Sequence, residues 1–285
     1  MITVVMSAYN VGEYIEQAMR SVLNSTHKDL ELIIVEDCST DNTLAIAQGI
    51  AEEDERVKII QQPENKGAGW ARRTGIEAAQ GEYVICIDSD DYITEDFLAL
   101  LYTRACETDA DIVSGGVTQI HDDGSYQKYG YSEKVTEGDD KVLNFWRHEK
   151  VSFMNNKLIR KSLHEKYPYC IRRFIEDVPT INPLLQFANK VAYAKTDGYF
   201  YRQRSTSLIH DTNPLRDVLY RFLAFQDIIE FFEKENKDMI AKLGIPNTIA
   251  TYLAQIKQIE ITPELIAPYR EDWDDFTIRL LKKML

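Results

Sequence analysis

Short runs of β-branched and apolar residues alternate along the first 115 positions with longer stretches whose apolar residues recur at helical spacing. Ile2–Met6, Leu30–Val35, Val57–Gln61, the run from Tyr83 to Asp88, and Asp111–Ser114 read as strands. Between them, Asn10 reads as the N-cap of a helix carrying Val11, Tyr14, Ile15, Ala18, Met19, Val22 and Leu23 on one face. Further helices are predicted near Asn42–Asp54, Trp70–Gln80 and Glu95–Thr108. Strands and helices alternating at this spacing imply βαβ units and a mostly parallel sheet, with right-handed crossovers bringing the strands' carboxyl ends to one edge. Beyond residue 115 the pattern changes. Val117–Tyr131 reads as a hairpin turning at Asp122-Asp123-Gly124, and helical stretches follow near Asp139–His148 and Phe153–Lys166. Short strands are expected at Lys190–Ala194 and Gly198–Arg202. From Leu215 the chain reads as helical, its stripe from Val218 to Phe232 taken as packing surface. A last helix is expected at Phe276–Leu285.

The polar residues that end the early strands are the first sign of chemistry. Tyr9-Asn10, Asp37 and Asp88-Ser89-Asp90-Asp91 each follow a strand and should meet in one crevice, where open α/β sheets place their ligands. Carboxylates gathered there repel one another unless a cation or hydrogen-bond donors compensate them. Hard oxygen ligands suit Mg²⁺ or Mn²⁺, which substrate phosphates commonly complete. The plainer reading makes Asp91 or Thr94 the cap of the helix that follows.

Composition narrows the partners. The 285 residues, 44% hydrophobic and 28% charged, suffice for one large domain or a domain with an appendage. A net charge of −13 opposes nucleic-acid binding and, on average, anionic membranes. A phosphate-bearing ligand then needs a metal and a few local cations. The four cysteines have no zinc or Cys-x-x-Cys spacing, and with no leader at Met1 they point to the cytoplasm. No apolar run approaches the roughly 18–20 residues of a membrane span. The C-terminal helix with Lys282-Lys283 leaves open a peripheral contact at the inner face of the membrane, although a surface or homo-oligomer-packing helix fits the acidic whole better.

The ordered set of motifs carries a resemblance. Ile2–Asn10, Glu31–Thr43, Asn65-Lys66-Gly67 with Ala71-Arg72 and Gly75-Ile76, then Gly81–Asp91, resemble the successive signatures of the family 2 glycosyltransferases. Asn156–Arg160, Arg173–Asp177 and Tyr201-Arg202 through Ser207 and His210 resemble the distal half. The likeness covers about 1–210. It implies a GT-A fold over 1–210, with a nucleotide-binding half at 1–115 and an acceptor half at 116–210; residues 211–285 then form a helical extension.

That resemblance implies metal-dependent, inverting transfer of a sugar from a nucleoside diphosphate, a UDP-sugar above all, to a glycan or lipid-linked glycan in cell-surface polysaccharide synthesis. It places Ala8, Tyr9 and Asn10 at the nucleotide, with the Tyr9 ring against the base; such stacking is worth about 1–3 kcal/mol. It assigns Asp37 to the N3–H of uracil, an edge that thymine shares, and Arg72 to the base or phosphates. Asp88 falls at the ribose, Ser89 beside it at the nucleotide-sugar, Asp90 on the Mn²⁺ or Mg²⁺ ion, and His210 on the same ion. Lys157, Arg160, Arg202 and Arg204 stand as candidate cations, Lys157 and Arg202 foremost at the phosphates. Asp177 is the implied base, in a segment where Pro179 also marks a helix start and makes Glu176 or Asp177 a cap.

Departures from the family's habit are Ser7, Glu36, Cys38, Gly69-Trp70 and Arg73; Trp70 and Arg73 bear on sugar and base preference. Two other readings stay open: a nucleotidyltransferase, although no Gly-rich loop follows the first strand, and a non-catalytic sugar-nucleotide-binding or assembly protein. No G-x-G-x-x-G follows Met6, which excludes a dinucleotide-dependent oxidoreductase.

Overall fold

The computed structural model describes residues 1–129, 135–138, 140–148, 154–171, 175–203, 214–256 and 258–259. It divides into two compact units, 1–172 with 176–205, and 173–175 with 206–285.

In the first unit, β1 (Ile2–Ala8), β2 (Leu30–Glu36), β3 (Val57–Gln61) and β4 (Tyr83–Cys86) are joined by α1 (Ile15–Leu23), α2 (Thr43–Glu53) and α3 (Ala68–Ala78). Next come β5 (Tyr92–Ile93), α4 (Phe97–Thr108), β6 (Ile112–Ser114), β7 (Val117–Ile120), β8 (Tyr126–Tyr129), β9 (Val135–Glu137) and α5 (Asp140–His148). Then follow β10 (Lys157–Arg160), α6 (Lys161–Lys166), α7 (Asp177–Phe187), β11 (Lys190–Tyr193) and β12 (Tyr199–Arg202). The large sheet has the order β3-β2-β1-β4-β10-β6-β11-β9; a second sheet has the order β5-β12-β7-β8.

β1 pairs in parallel with β2 and β4, and β2 with β3, so the ends of these strands share one edge. Their continuous apolar runs follow from burial on both faces. Leu32 and Ile34 join the main core with α1 and α2 residues such as Met19 and Ala47, while Ile33 and Val35 pack with Ala71 of α3. Gly75 is what lets α3 lie so close: a Cβ there would stand 2.3 Å from Val5 Cγ1.

Two sequence expectations are corrected. The first helix begins not beside Asn10 but at Ile15; the Asn10 side chain instead accepts the Thr40 N–H (2.8 Å), with its own backbone left-handed at φ +51°. The stretch 153–166, read as helix, contains a strand. Lys157-Leu158-Ile159-Arg160 inserts antiparallel between β4 and β6, and only Lys161–Lys166 is helical. An apolar run this short does not declare its period, and the sheet's need for a middle strand overrides helical spacing. The sheet is accordingly mixed.

In the second unit, α8 (Pro214–Glu235), α9 (Lys237–Lys242) and α10 (Ile245–Ile256) pack on one another. Leu219, Phe222, Leu223, Ile228 and Phe232 of the α8 stripe are buried, and Phe225 meets Tyr252 with ring centroids 5.7 Å apart. The expected helix at 276–285 lies outside the described residues. Among those described, no helix is long and apolar enough to cross a membrane.

Candidate active site

Three exit loops meet at the carboxyl edge of β1, β2 and β4. The Asp37 N–H donates to the Ala8 carbonyl (2.9 Å), the Ile87 N–H to the Val5 carbonyl (2.9 Å), and the Ser89 hydroxyl to the Ser7 carbonyl (2.7 Å). Tyr9, by contrast, stays about half exposed beside this knot, an aromatic face open at the rim.

Asp37 is buried, and it does not cap α2; that end is served by Asp41, whose Oδ1 accepts the Thr43 N–H (2.9 Å). The Asp37 carboxylate instead accepts the N–H groups of Lys66 (3.0 Å) and Gly67 (2.7 Å). Gly67, at φ +87° and ψ 168°, has a conformation open essentially to glycine alone, and it starts α3. A carboxylate has about four acceptor positions, and these two N–H groups take up half of them.

Carboxylate oxygens of Asp88, Asp90 and Asp91 all lie within 4.8 Å of one another. The capping role weighed for Asp91 or Thr94 is not taken: α4 starts at Phe97 after Asp96. Asp91 is buried, its Oδ2 accepting the Tyr199 hydroxyl (2.6 Å) and its Oδ1 the Arg202 N–H (2.8 Å). Burial first, then the charges of Asp90 and Asp88, push its carboxyl well above the usual carboxylate range. A divalent cation would relieve that repulsion, and an all-oxygen donor set fits Mg²⁺ or Mn²⁺. His210, the other expected ligand, lies outside the described residues, as does Arg204.

Among the described residues, the expected cations each have partners within the protein. Lys157 is 1% exposed, its ammonium donating to Asn156 Oδ1 (2.8 Å) and lying 5.2 Å from the Phe145 ring centre. Arg160 donates to Asp111 (2.9 Å) and Asp109 (3.1 Å) and pairs with Glu82. Arg202 donates to the Asp90 carbonyl (3.0 Å) and Gln17 (2.8 Å), between the rings of Tyr14 and Tyr92. Its side chain and backbone N–H thus both hold the acidic loop.

Arg72 is the hub. Buried on α3, its Nη2 donates to Asp88 Oδ1 (2.7 Å) and its Nη1 to Glu176 Oε1. Glu176 occupies the N-cap position of α7, yet its side chain turns to Arg72 rather than capping. Ile175 before it is left-handed (φ +57°), which is unusual for a β-branched residue. Asp177, the first residue of α7, is half-buried and accepts the Tyr169 hydroxyl at 2.8 Å, while the Tyr169 ring lies 5.9 Å from the Arg72 guanidinium carbon. Asp88, Arg72, Glu176, Asp177 and Tyr169 thus form one contiguous network. Surrounding protein raises the Asp177 carboxyl above its usual range, with Arg72 and the Tyr169 hydroxyl opposing the rise. Burial pushes Glu176 up to about 7, with Arg72 opposing.

Sequence reasoning missed Asn155, Tyr169, Glu176 as an ion-pair partner, and Tyr199. Asn155 Nδ2 donates to the other Asp88 oxygen, a contact made by the β10 register that the helical reading concealed. The motif around Arg173–Asp177 held Glu176 in plain view, but only a fold brings Arg72 to it from 104 positions away.

Known proteins share this frame. Residues 3–174 match the family described as Glycosyl transferase family 2. The glycosyltransferase GlyG of Streptococcus pneumoniae serotype 4 is 29% identical over 250 residues, 84% of this chain and 81% of GlyG. Among solved structures, S. aureus TarS 1-349 in complex with UDP-GlcNAc superposes with a TM-score of 0.70 at 20% identity, covering 95% of this chain and 78% of that one. The mannosyltransferase PcManGT of Pyrobaculum calidifontis, in complex with GDP-Man and Mn²⁺, gives 0.61 at 16% identity, covering 99% and 78%. With a matched segment that spans every strand-end loop described above, the chain belongs to glycosyl transferase family 2 and is a glycosyltransferase of GT-A fold.

Proposed function

We propose that the chain is an inverting transferase that moves a sugar from a UDP-sugar to a hydroxyl of a glycan or lipid-linked glycan, in cell-surface polysaccharide synthesis. One observation carries this reading: Arg72 joins the strand-end acids, through Asp88, to the helix start that presents Asp177. That link supports reading the donor-holding and proton-accepting groups as parts of a single site. The UDP-GlcNAc bound by TarS supports the choice of donor class, and the Mn²⁺ bound by PcManGT that of the ion.

In this reading Tyr9 stacks on the uracil, held by the loop of Ala8 and Asn10, and Asp37 accepts its N3–H. Asp88 takes the ribose hydroxyls, and Asp90 is the direct ligand of Mn²⁺ or Mg²⁺. When bound, the ion neutralises charge growing on the departing diphosphate. Asp177 takes the acceptor hydroxyl's proton as that oxygen attacks the anomeric carbon from the face opposite the nucleotide. The new carbon–oxygen bond forms as the bond to the phosphate oxygen breaks, its electron pair leaving with UDP, so configuration inverts.

The test is UDP release from a panel of UDP-sugars with Mn²⁺, with GDP-mannose as the rival donor, by wild type and Asp177→Asn. A positioned base contributes typically about 10²–10⁴-fold, so the variant should lose that much turnover while still binding UDP. Equal turnover in both proteins rejects Asp177 as the base. Release from GDP-mannose alone rejects the uracil role of Asp37.

A further inference from the structure

We infer that Tyr169 is the positioning residue of the transfer step: its hydroxyl fixes the Asp177 carboxylate in the orientation, and in the ionised form, that takes the acceptor's proton. The inference rests on the reading of Asp177 as base. Its ground is geometric. Tyr169 is 1% exposed, and its hydroxyl donates to Asp177 Oδ1 at 2.8 Å, eight residues along the chain and across the start of α7. The ring is itself immobilised, with the Arg72 guanidinium 5.9 Å from its centre and the His164 ring packed 6.5 Å away. A half-buried carboxylate on a helix's first residue can turn among its staggered rotamers unless a partner holds it. One oxygen tethered to a rigid phenol leaves the other oxygen to face an acceptor.

The protonation states suit this task. Burial raises the Tyr169 phenol well above its usual range, so it remains a donor throughout any assay. His164, pushed down to about 4 by burial, stays neutral and does not compete. The other charged or titratable groups acting on Asp177 are Arg72 and Lys157, which favour its ionised form, and Asp88 and Glu176, which oppose it; Cys86 and Tyr201 lie near and stay protonated. The tyrosine hydroxyl donates to the carboxylate without adding charge.

Tyr169→Phe removes the hydroxyl and keeps the ring on Arg72 and His164. A hydrogen bond to a charged group is worth enough to move the acid limb of kcat/KM upward by about one pH unit and to lower kcat near neutrality about tenfold, with donor KM held within about twofold. In an Asp177→Asn background the same change should cost nothing more, since the tethered base is gone. Should Tyr169→Phe fold poorly in thermal unfolding, 3-fluorotyrosine at position 169 keeps the hydroxyl and strengthens it as a donor; the limb then moves down in pH. An unchanged pH profile with kcat within about twofold of wild type overturns the inference, as does a raised donor KM at constant kcat. Full turnover of Asp177→Asn overturns the base assignment itself, a result legible independently of Tyr169.

Discussion

Arg72→Gln removes the guanidinium that joins Asp88 to Glu176 while keeping a polar stem on α3. The side chains concerned are 8%, 22% and 10% exposed for Arg72, Asp88 and Glu176, so solvent screens these ion pairs little. Removing one partner of a buried pair costs about 3–5 kcal/mol because the remaining charge is stranded. Asp88 keeps Asn155 as a donor and some contact with water, so the lower end, about 3 kcal/mol, is expected at about pH 8. The deficit must shrink with acidity. Burial already holds Glu176 at about 7 against the usual 4.5 and raises Asp177, and in both cases Arg72 opposes the rise. Without Arg72 both carboxyls rise further in the folded state. A group whose folded pKa exceeds its unfolded one stabilises fully below the unfolded value, and that stability is lost as pH climbs through the folded value. Urea unfolding of both proteins at about pH 8 and about pH 5.5 should therefore show the variant regaining at least about 1 kcal/mol relative to wild type at the lower pH. An equal deficit at both pH values, or one under about 1 kcal/mol throughout, refutes the buried-network reasoning.

Gly67→Ala should cost about 1–3 kcal/mol in thermal unfolding, because alanine cannot hold the φ +87° conformation that aims the N–H at Asp37, and calorimetric titration should show weaker UDP binding. Gly49→Ala in α2, where an added Cβ meets nothing within 4 Å, is the matched control and should stabilise by about 0.5–1 kcal/mol. Asp90→Asn should leave free Mn²⁺ undepleted in an electron paramagnetic resonance titration that wild type with UDP depletes, and EDTA should stop UDP release until Mn²⁺ is restored.

Strands β1, β2 and β4 were largely legible in the chain because they are buried on both faces. Runs such as Leu32-Ile33-Ile34-Val35 announce themselves, and the residues that follow them must fall on the sheet edge. Asp37 and Asp88–Asp91 emerge where that logic places them. Legibility ends where position depends on contacts distant in sequence. Lys157–Arg160 is too short to declare a period and becomes a strand only because β4 and β6 flank it; Asn155 reaches Asp88 as a consequence. Charge alone did not reveal surroundings: Lys157 and Arg202 read alike as candidate cations, yet the Lys157 ammonium is buried beside Phe145 and Arg202 donates to the Asp90 carbonyl. Tyr169 carried no signal beyond being an aromatic residue near a proposed base, and its meaning comes from one hydroxyl contact.

The central claim is met most directly by an anomalous difference map, at the manganese edge, from a crystal of this protein grown with UDP and Mn²⁺. The account predicts one peak against the Asp90 carboxylate, the uracil ring on Tyr9 with its N3–H at Asp37, and Asp177 facing the diphosphate across the pocket. A peak away from residues 88–91, or uracil bound elsewhere than Asp37, contradicts it.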